Sequence, residues 1–189
     1  MIMLLTITFS FFIGVTAAHA YSIWYGNGYY DFYGAGMTVR VNSTFAPESK
    51  AAVDNALYEW KAQASLGNHM FRGSDTSITT YPLHDNINAI TKSNAGPDYL
   101  MATYPTDVNI FTRYIYEFDI NVNTYYPWKN NGDPDALDVQ HVMTHEIGHA
   151  LGIAHSEVSG ATMEPTTSYG QTNWRTIEAD DKDAAAYIY

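Results

Sequence analysis

His145, Glu146, His149, Gly152 and His155 form one uninterrupted constellation, H-E-x-x-H-x-x-G-x-x-H over residues 145–155. On a helix, positions four apart share a face, so His145 and His149 are expected to point two imidazoles at one ion. Glu146, beside the first of them, can reach a water on that ion. Glycine adopts φ > 0 without a Cβ penalty, so Gly152 lets the helix stop in a tight turn. The turn brings His155 back as a third ligand. Three imidazoles leave the fourth position of a tetrahedral zinc open to water, which is the arrangement of a catalytic site rather than a closed structural one. The expectation is one catalytic Zn2+ with hydrolytic chemistry at Glu146.

Several elements must position these groups. Residues 37–42 alternate apolar and polar and read as a half-buried strand. Pro47 opens a helix in which Val53, Ala56, Leu57 and Trp60 recur at helical spacing, with Gly67 closing it. Residues 70–73, 77–80 and 87–91 are weaker strand candidates. Residues 99–104 are strand-like and end at Pro105, and residues 117–123 alternate again. Asn130 to Pro134 reads as loop. Asp138 is placed to cap the helix bearing His145 and His149. Residues 156–176 are turn-rich, and a last helix begins near Glu178. A strand, a helix, several strands and then two helices read as an α+β fold: one twisted mixed sheet with helices packed against it.

The chain has 189 residues and no cysteine, with nine Lys/Arg against twenty Asp/Glu, a net charge of −11. That charge argues against nucleic-acid and anionic-membrane partners. Acidic clusters leave Ca2+ open, though solubility accounts for them equally well. Residues 4–18 are apolar and uncharged, and Ala18-His19-Ala20 fits a small-x-small cleavage site, although a basic n-region is missing. The expectation is a signal peptide over 1–20, one catalytic domain over 21–189, secretion, no membrane attachment after cleavage, and a monomer. Asn42-Ser43-Thr44 is a glycosylation sequon, meaningful only in a eukaryote. His69 and His84 lack partners at ligand spacing.

The extended histidine signature resembles that of the metzincin metalloproteases, and within them the matrixins. Met163 lies eight residues after His155, in Gly160-Ala161-Thr162-Met163-Glu164-Pro165, and is similar to the family's Met turn. Ser156 follows the third His as in matrixins, and residues 180–189 resemble their closing helix, with Asp-Asp-x-Asp at its start and Ile-Tyr at its end. The resemblance is to compact microbial members. It implies a five-stranded sheet with three helices, a zinc endopeptidase activity on extracellular proteins, and Glu146 as general base then acid toward the leaving amine. It further implies Met163 as an apolar floor under the zinc and Asp181 as a brace for the Met turn. The substrate would bind as an extended strand along residues 99–104. Val142, the segment after Pro165 and His141 would shape an apolar pocket for the residue after the scissile bond.

The run Leu100-Met101-Ala102-Thr103-Tyr104-Pro105 resembles the family's Leu-Ala-His-Ala-Phe-x-Pro region, with Ala102 where a second, structural zinc has a His. Asn121 likewise replaces a His, so no second zinc is expected. Vertebrate members are held latent by a propeptide cysteine; without a cysteine, and with little chain before Met37, latency would need another device. The alternative to a protease is a secreted module that keeps zinc without cutting.

Overall fold

The computed structural model describes residues 23, 31–32, 36–63, 66 and 70–189. The signal-peptide expectation, Gly67 and His69 lie outside the described residues. Ten elements build most of the domain around a mixed sheet. Strand β2 (Met37–Val41) is followed by helix α1 (Pro47–Gln63), then β3 (Met70–Arg72), β4 (Asn88–Ser93), β5 (Met101–Asn109) and β6 (Tyr114–Asn123). Two short strands, β7 (Trp128–Lys129) and β8 (Leu137–Asp138), pair with each other before α2 (Val139–Ala150) and α3 (Ala179–Ile188). A two-residue strand β1 (Asp31–Phe32) adds to the sheet beside Tyr114 and Ile115.

The main sheet runs β3-β2-β4-β6, all parallel, and β5 closes it as an antiparallel edge on β6. This is the expected α+β fold, with five principal strands and three helices. Parallel neighbours need crossovers, and α1 is the crossover between β2 and β3. Its buried positions include those that recur at helical spacing, Val53, Ala56, Leu57 and Trp60, together with Ala52. They pack on the face of the sheet carrying Val39, Val41, Ile90, Phe118 and Ile120. Trp60 is fully buried and its indole N–H donates to the carbonyl of Thr144 at 2.7 Å, which pins α1 to the middle of α2.

Two expectations are corrected. Residues 77–80 form no strand; only Thr76 bridges to Asn42 there. Their alternation of Ser, Ile and Thr suits a strand, but none of the described residues pairs with it as a strand. The strand expected to stop at Pro105 runs on to Asn109, with Pro105 opposite Phe118 and a register shift just after it. Proline removes a donor, and an edge strand tolerates that loss on its open side. The loop from Asn130 to Pro134 is closed at its base by the β7–β8 pair, which local sequence pattern does not signal. No helix among the described residues is long and apolar enough to cross a membrane.

Candidate metal centre and cleft

Helix α2 begins at its cap. Asp138 is buried, its Oδ1 accepts from the backbone N–H of His141 at 3.0 Å, and its carboxylate also pairs with Arg175. That ion pair ties the start of α2 to the short 3-10 turn Asn173–Arg175. The helix ends at Ala150: Leu151 caps it, and Gly152 takes φ 89°, which favours glycine. Ile153 N–H donates to the Gly148 carbonyl at 3.0 Å and Gly152 N–H to the His149 carbonyl at 2.9 Å. This pair of bonds is a Schellman motif, and its reversal of the chain carries His155 back beside the helix.

The three histidines meet. Among the described residues, His145, His149 and His155 offer nitrogen ligand atoms within 4.8 Å of one another. His149 Nε2 and His155 Nε2 are 3.2 Å apart. His145 Nδ1 donates to the carbonyl of Thr162 at 2.7 Å, and His149 Nδ1 to that of Ile153 at 2.8 Å. A ring whose Nδ1 holds the proton presents the lone pair of Nε2. Burial holds His145 well below the ordinary imidazole range and takes His149 down to about 4; it lowers His155 too. All three are therefore neutral donors near pH 7. Zinc–nitrogen bonds of about 2.0–2.1 Å in a tetrahedron separate the nitrogens by roughly 3.3 Å, so the donor set fits zinc.

Glu146 follows His145 on the same helix and is almost fully buried. Burial pushes its carboxyl up to about 7, partly offset by hydrogen bonds from Thr103. The Thr103 hydroxyl lies 2.7 Å from Glu146 Oε2 and 2.9 Å from the Glu146 carbonyl. Thr103 belongs to the edge strand β5, so the strand that flanks the cleft touches the acidic residue directly.

Beneath the cluster lies Met163, fully buried. A Cβ on Gly148 would come within 2.3 Å of the Met163 sulfur and 2.8 Å of the Trp60 ring, so the helix can sit on Met163 only with glycine at 148. Asp181, also buried, accepts from the backbone N–H groups of Thr162 at 2.8 Å, Met163 at 3.0 Å and Glu178 at 3.0 Å. Its two oxygens thus fix the turn whose Thr162 carbonyl orients His145. Asp180 accepts from the Ser156 hydroxyl at 2.7 Å, one residue past the third histidine.

Two cavities flank the centre. One, of about 300 Å³, is lined by Tyr99, Met101, Val142, His145, Pro165 and Trp174 among others. The second, of about 330 Å³, is lined by Ala102, Thr103, His149 and Ala154. Met101, Glu146 and His155 line both. Val142 and Pro165 thus stand in the wall of the first cavity, while His141 does not. The His141 ring is buried, stacks on Trp174 at 4.4 Å, accepts from the Trp174 backbone N–H at 3.0 Å, and bonds the Thr167 hydroxyl at 2.6 Å. His141, expected at the pocket, stands behind its wall: it holds Trp174 and Thr167, which line the cavity. His84 is exposed on the far loop before β4.

Where the resemblance placed a second metal, Ala102 and Asn121 sit opposite each other in register. The Asn121 amide donates to Tyr99 Oη at 3.0 Å and accepts from Ser93 Oγ at 3.1 Å, and Tyr99 bonds Tyr81 at 2.5 Å. Asp119 accepts from the backbone N–H groups of Leu83 and Ala89, and Glu117 from those of Asp85 and Asn86.

An α+β sheet-and-helix fold with a three-histidine cluster, two from its second helix and one from the turn after it, defines a zinc-protease type of domain. The chain belongs to the matrixin peptidase family, whose profile matches residues 36–189. It is 36% identical over 69 residues to Metalloendoproteinase 2-MMP of Arabidopsis thaliana, covering 33% of this chain and 18% of that protein. It is 42% identical over 48 residues to neutrophil collagenase of Homo sapiens, covering 25% and 10%. Human matrix metalloproteinase-16 shares 35% identity over 72 residues, 38% of this chain and 12% of that protein. The chain thus spans less than a fifth of the length of each of these plant and animal relatives.

Proposed function

We propose that this chain is a secreted, monomeric zinc endopeptidase that cuts extended segments of extracellular proteins. The observation that carries the reading is the placement of Glu146 beside three neutral histidines at the point where two cavities meet. When bound, zinc would lower the pKa of a water and polarise the scissile carbonyl. His145, His149 and His155 would hold it. Glu146 takes a proton as the water oxygen bonds to the carbonyl carbon, then gives that proton to the departing nitrogen as the C–N bond breaks.

The open edge of β5 supports substrate pairing as an added strand. The 300 Å³ cavity, walled by Val142, Pro165 and Trp174, suits a bulky apolar side chain after the scissile bond. Export is supported by the apolar, uncharged residues 4–18 and the small residues at 18 and 20. The net charge of −11 favours neither nucleic acid nor an anionic membrane as partner.

Incubation of the purified chain with casein and a peptide library, with and without a zinc chelator, tests the reading. Chelator-sensitive cleavage before large apolar residues is expected. Zinc bound at one per chain with no cleavage of any peptide would turn the assignment to a non-proteolytic binding module.

A further inference from the structure

We propose that Thr103 is a positioning residue for the reaction: its hydroxyl holds the carboxylate of Glu146 at the angle from which it meets the attacking water. The inference rests on the protease reading above. The family pattern to which residues 100–105 are similar has alanine here, which has no donor. In this chain Oγ1 of Thr103 is 2.7 Å from Glu146 Oε2 and 2.9 Å from the Glu146 carbonyl oxygen. The backbone N–H of Thr103 also reaches this carboxylate, so one residue of β5 holds it from both its side chain and its main chain.

The geometry makes the contact a clamp. Thr103 sits in β5 opposite Ile120, so its backbone is fixed by the sheet. A β-branched side chain has few χ1 states, so the hydroxyl has one direction. Glutamate has three rotatable bonds and loses that freedom only if something holds its end. One hydroxyl between the side-chain oxygen and the main-chain oxygen of the same residue folds that end back onto its own helix. The hydroxyl takes Oε2 and not Oε1. Thr103 and Glu146 line the same cavity with His149, so the clamp lies at the cleft and not behind it. A substrate paired along β5 would be aligned by the strand that aligns the base, and misplacement of a catalytic group by about 1 Å costs on the order of 100-fold in rate.

Thr103→Val keeps the shape and removes the donor; Thr103→Ala makes the same deletion without β-branching; Thr103→Ser restores the donor. The zinc-loaded proteins are compared on one peptide substrate, with metal analysis. Val and Ala should each lower kcat about 10- to 100-fold, keep KM within about twofold and keep one zinc per chain, while Ser recovers kcat to within about threefold of the parent. In crystals of the metal-free proteins, Oε2 of Glu146 should stay within hydrogen-bond distance of residue 103 in the parent and Ser forms and leave that position in the Val form. An unchanged kcat in both Val and Ala overturns the proposal, as does an equal loss in Val, Ala and Ser, or a rise in KM alone, which would make Thr103 only part of the peptide-binding edge. A parent chain with no chelator-sensitive peptidase activity overturns the protease reading and this inference with it.

Discussion

Two regions of this molecule stand where a matrixin pattern puts metal ligands, and they are built on opposite principles. At the His145–His149–His155 cluster, His145 and His149 each give the Nδ1 proton to a backbone carbonyl and keep the Nε2 lone pair for a point shared with His155. At the sheet, Ala102 supplies no ligand, and Asn121 spends its amide on Tyr99 and Ser93. Asp119 and Glu117 spend their carboxylates on backbone N–H groups of residues 83–89. The first region saves its lone pairs for something outside the protein. The second satisfies its polar groups internally, cross-linking by hydrogen bonds the loop that a metal would otherwise clasp. Residue types alone do not make a site; the direction in which each donor and acceptor is used up does.

The comparison can be broken at several points. The largest effect is expected at the first region. His149→Ala should reduce bound zinc from one per chain to a small fraction and abolish proteolysis, since two imidazoles do not fix the open tetrahedral site; metal analysis beside a zymogram checks it. Retention of a full zinc in that variant would mean that the cluster is not the centre.

Next comes the brace behind it. Asp181→Ala leaves the buried N–H groups of Thr162, Met163 and Glu178 without their acceptor. Unsatisfied buried donors cost about 1–3 kcal/mol each, so the thermal midpoint should fall by on the order of 10 °C. A change of a degree or two would show that the turn stands without it.

Acid should act on the first region as well. His141 and His149 are taken down to about 4 in the fold by burial. The unfolded chain, with histidines near 6.5, binds more protons below that pH. Glu146, raised to about 7 by burial, opposes this between about pH 7 and 4.5, but His141, His145 and His149 outnumber it, so the metal-free protein should show a net loss of stability as pH falls from about 6.5 to about 4. Denaturant titrations across that window check the slope; a flat line would mean that these rings are solvated. The smallest effect belongs to the second region. Asn121→Ala should cost about 1–3 kcal/mol of stability and leave zinc at one per chain. A lost metal equivalent in that variant would give the sheet region a metal role after all.

Much of this was legible in the chain because it depends on residues close in sequence. The spacing of Val53, Ala56, Leu57 and Trp60 gave α1 its buried stripe, and Asp138, His145, His149 and Gly152 defined α2 and its end. The Met163 turn follows within a few residues of His155. What stayed hidden depends on pairs far apart. Thr103 meets Glu146 across 43 positions and Trp174 meets His141 across 33, so no local pattern marks either. His141 was placed correctly on the helix, one turn before His145, but its ring turned to stack on Trp174, which no helical periodicity reveals. Pro105 failed as a strand breaker for the same reason: whether a proline ends a strand depends on whether that strand is an edge.

The central claim is that zinc binding and peptide cleavage are separable functions of neighbouring residues, histidines for the metal and Glu146 for the proton. Glu146→Gln, close to isosteric, puts that to one paired measurement: zinc content by metal analysis and kcat/KM on a peptide cut by the parent. The account predicts one zinc per chain and a kcat/KM lower by at least about 100-fold, the scale of a lost general base. Cleavage by the zinc-loaded variant at close to the parental rate would contradict it.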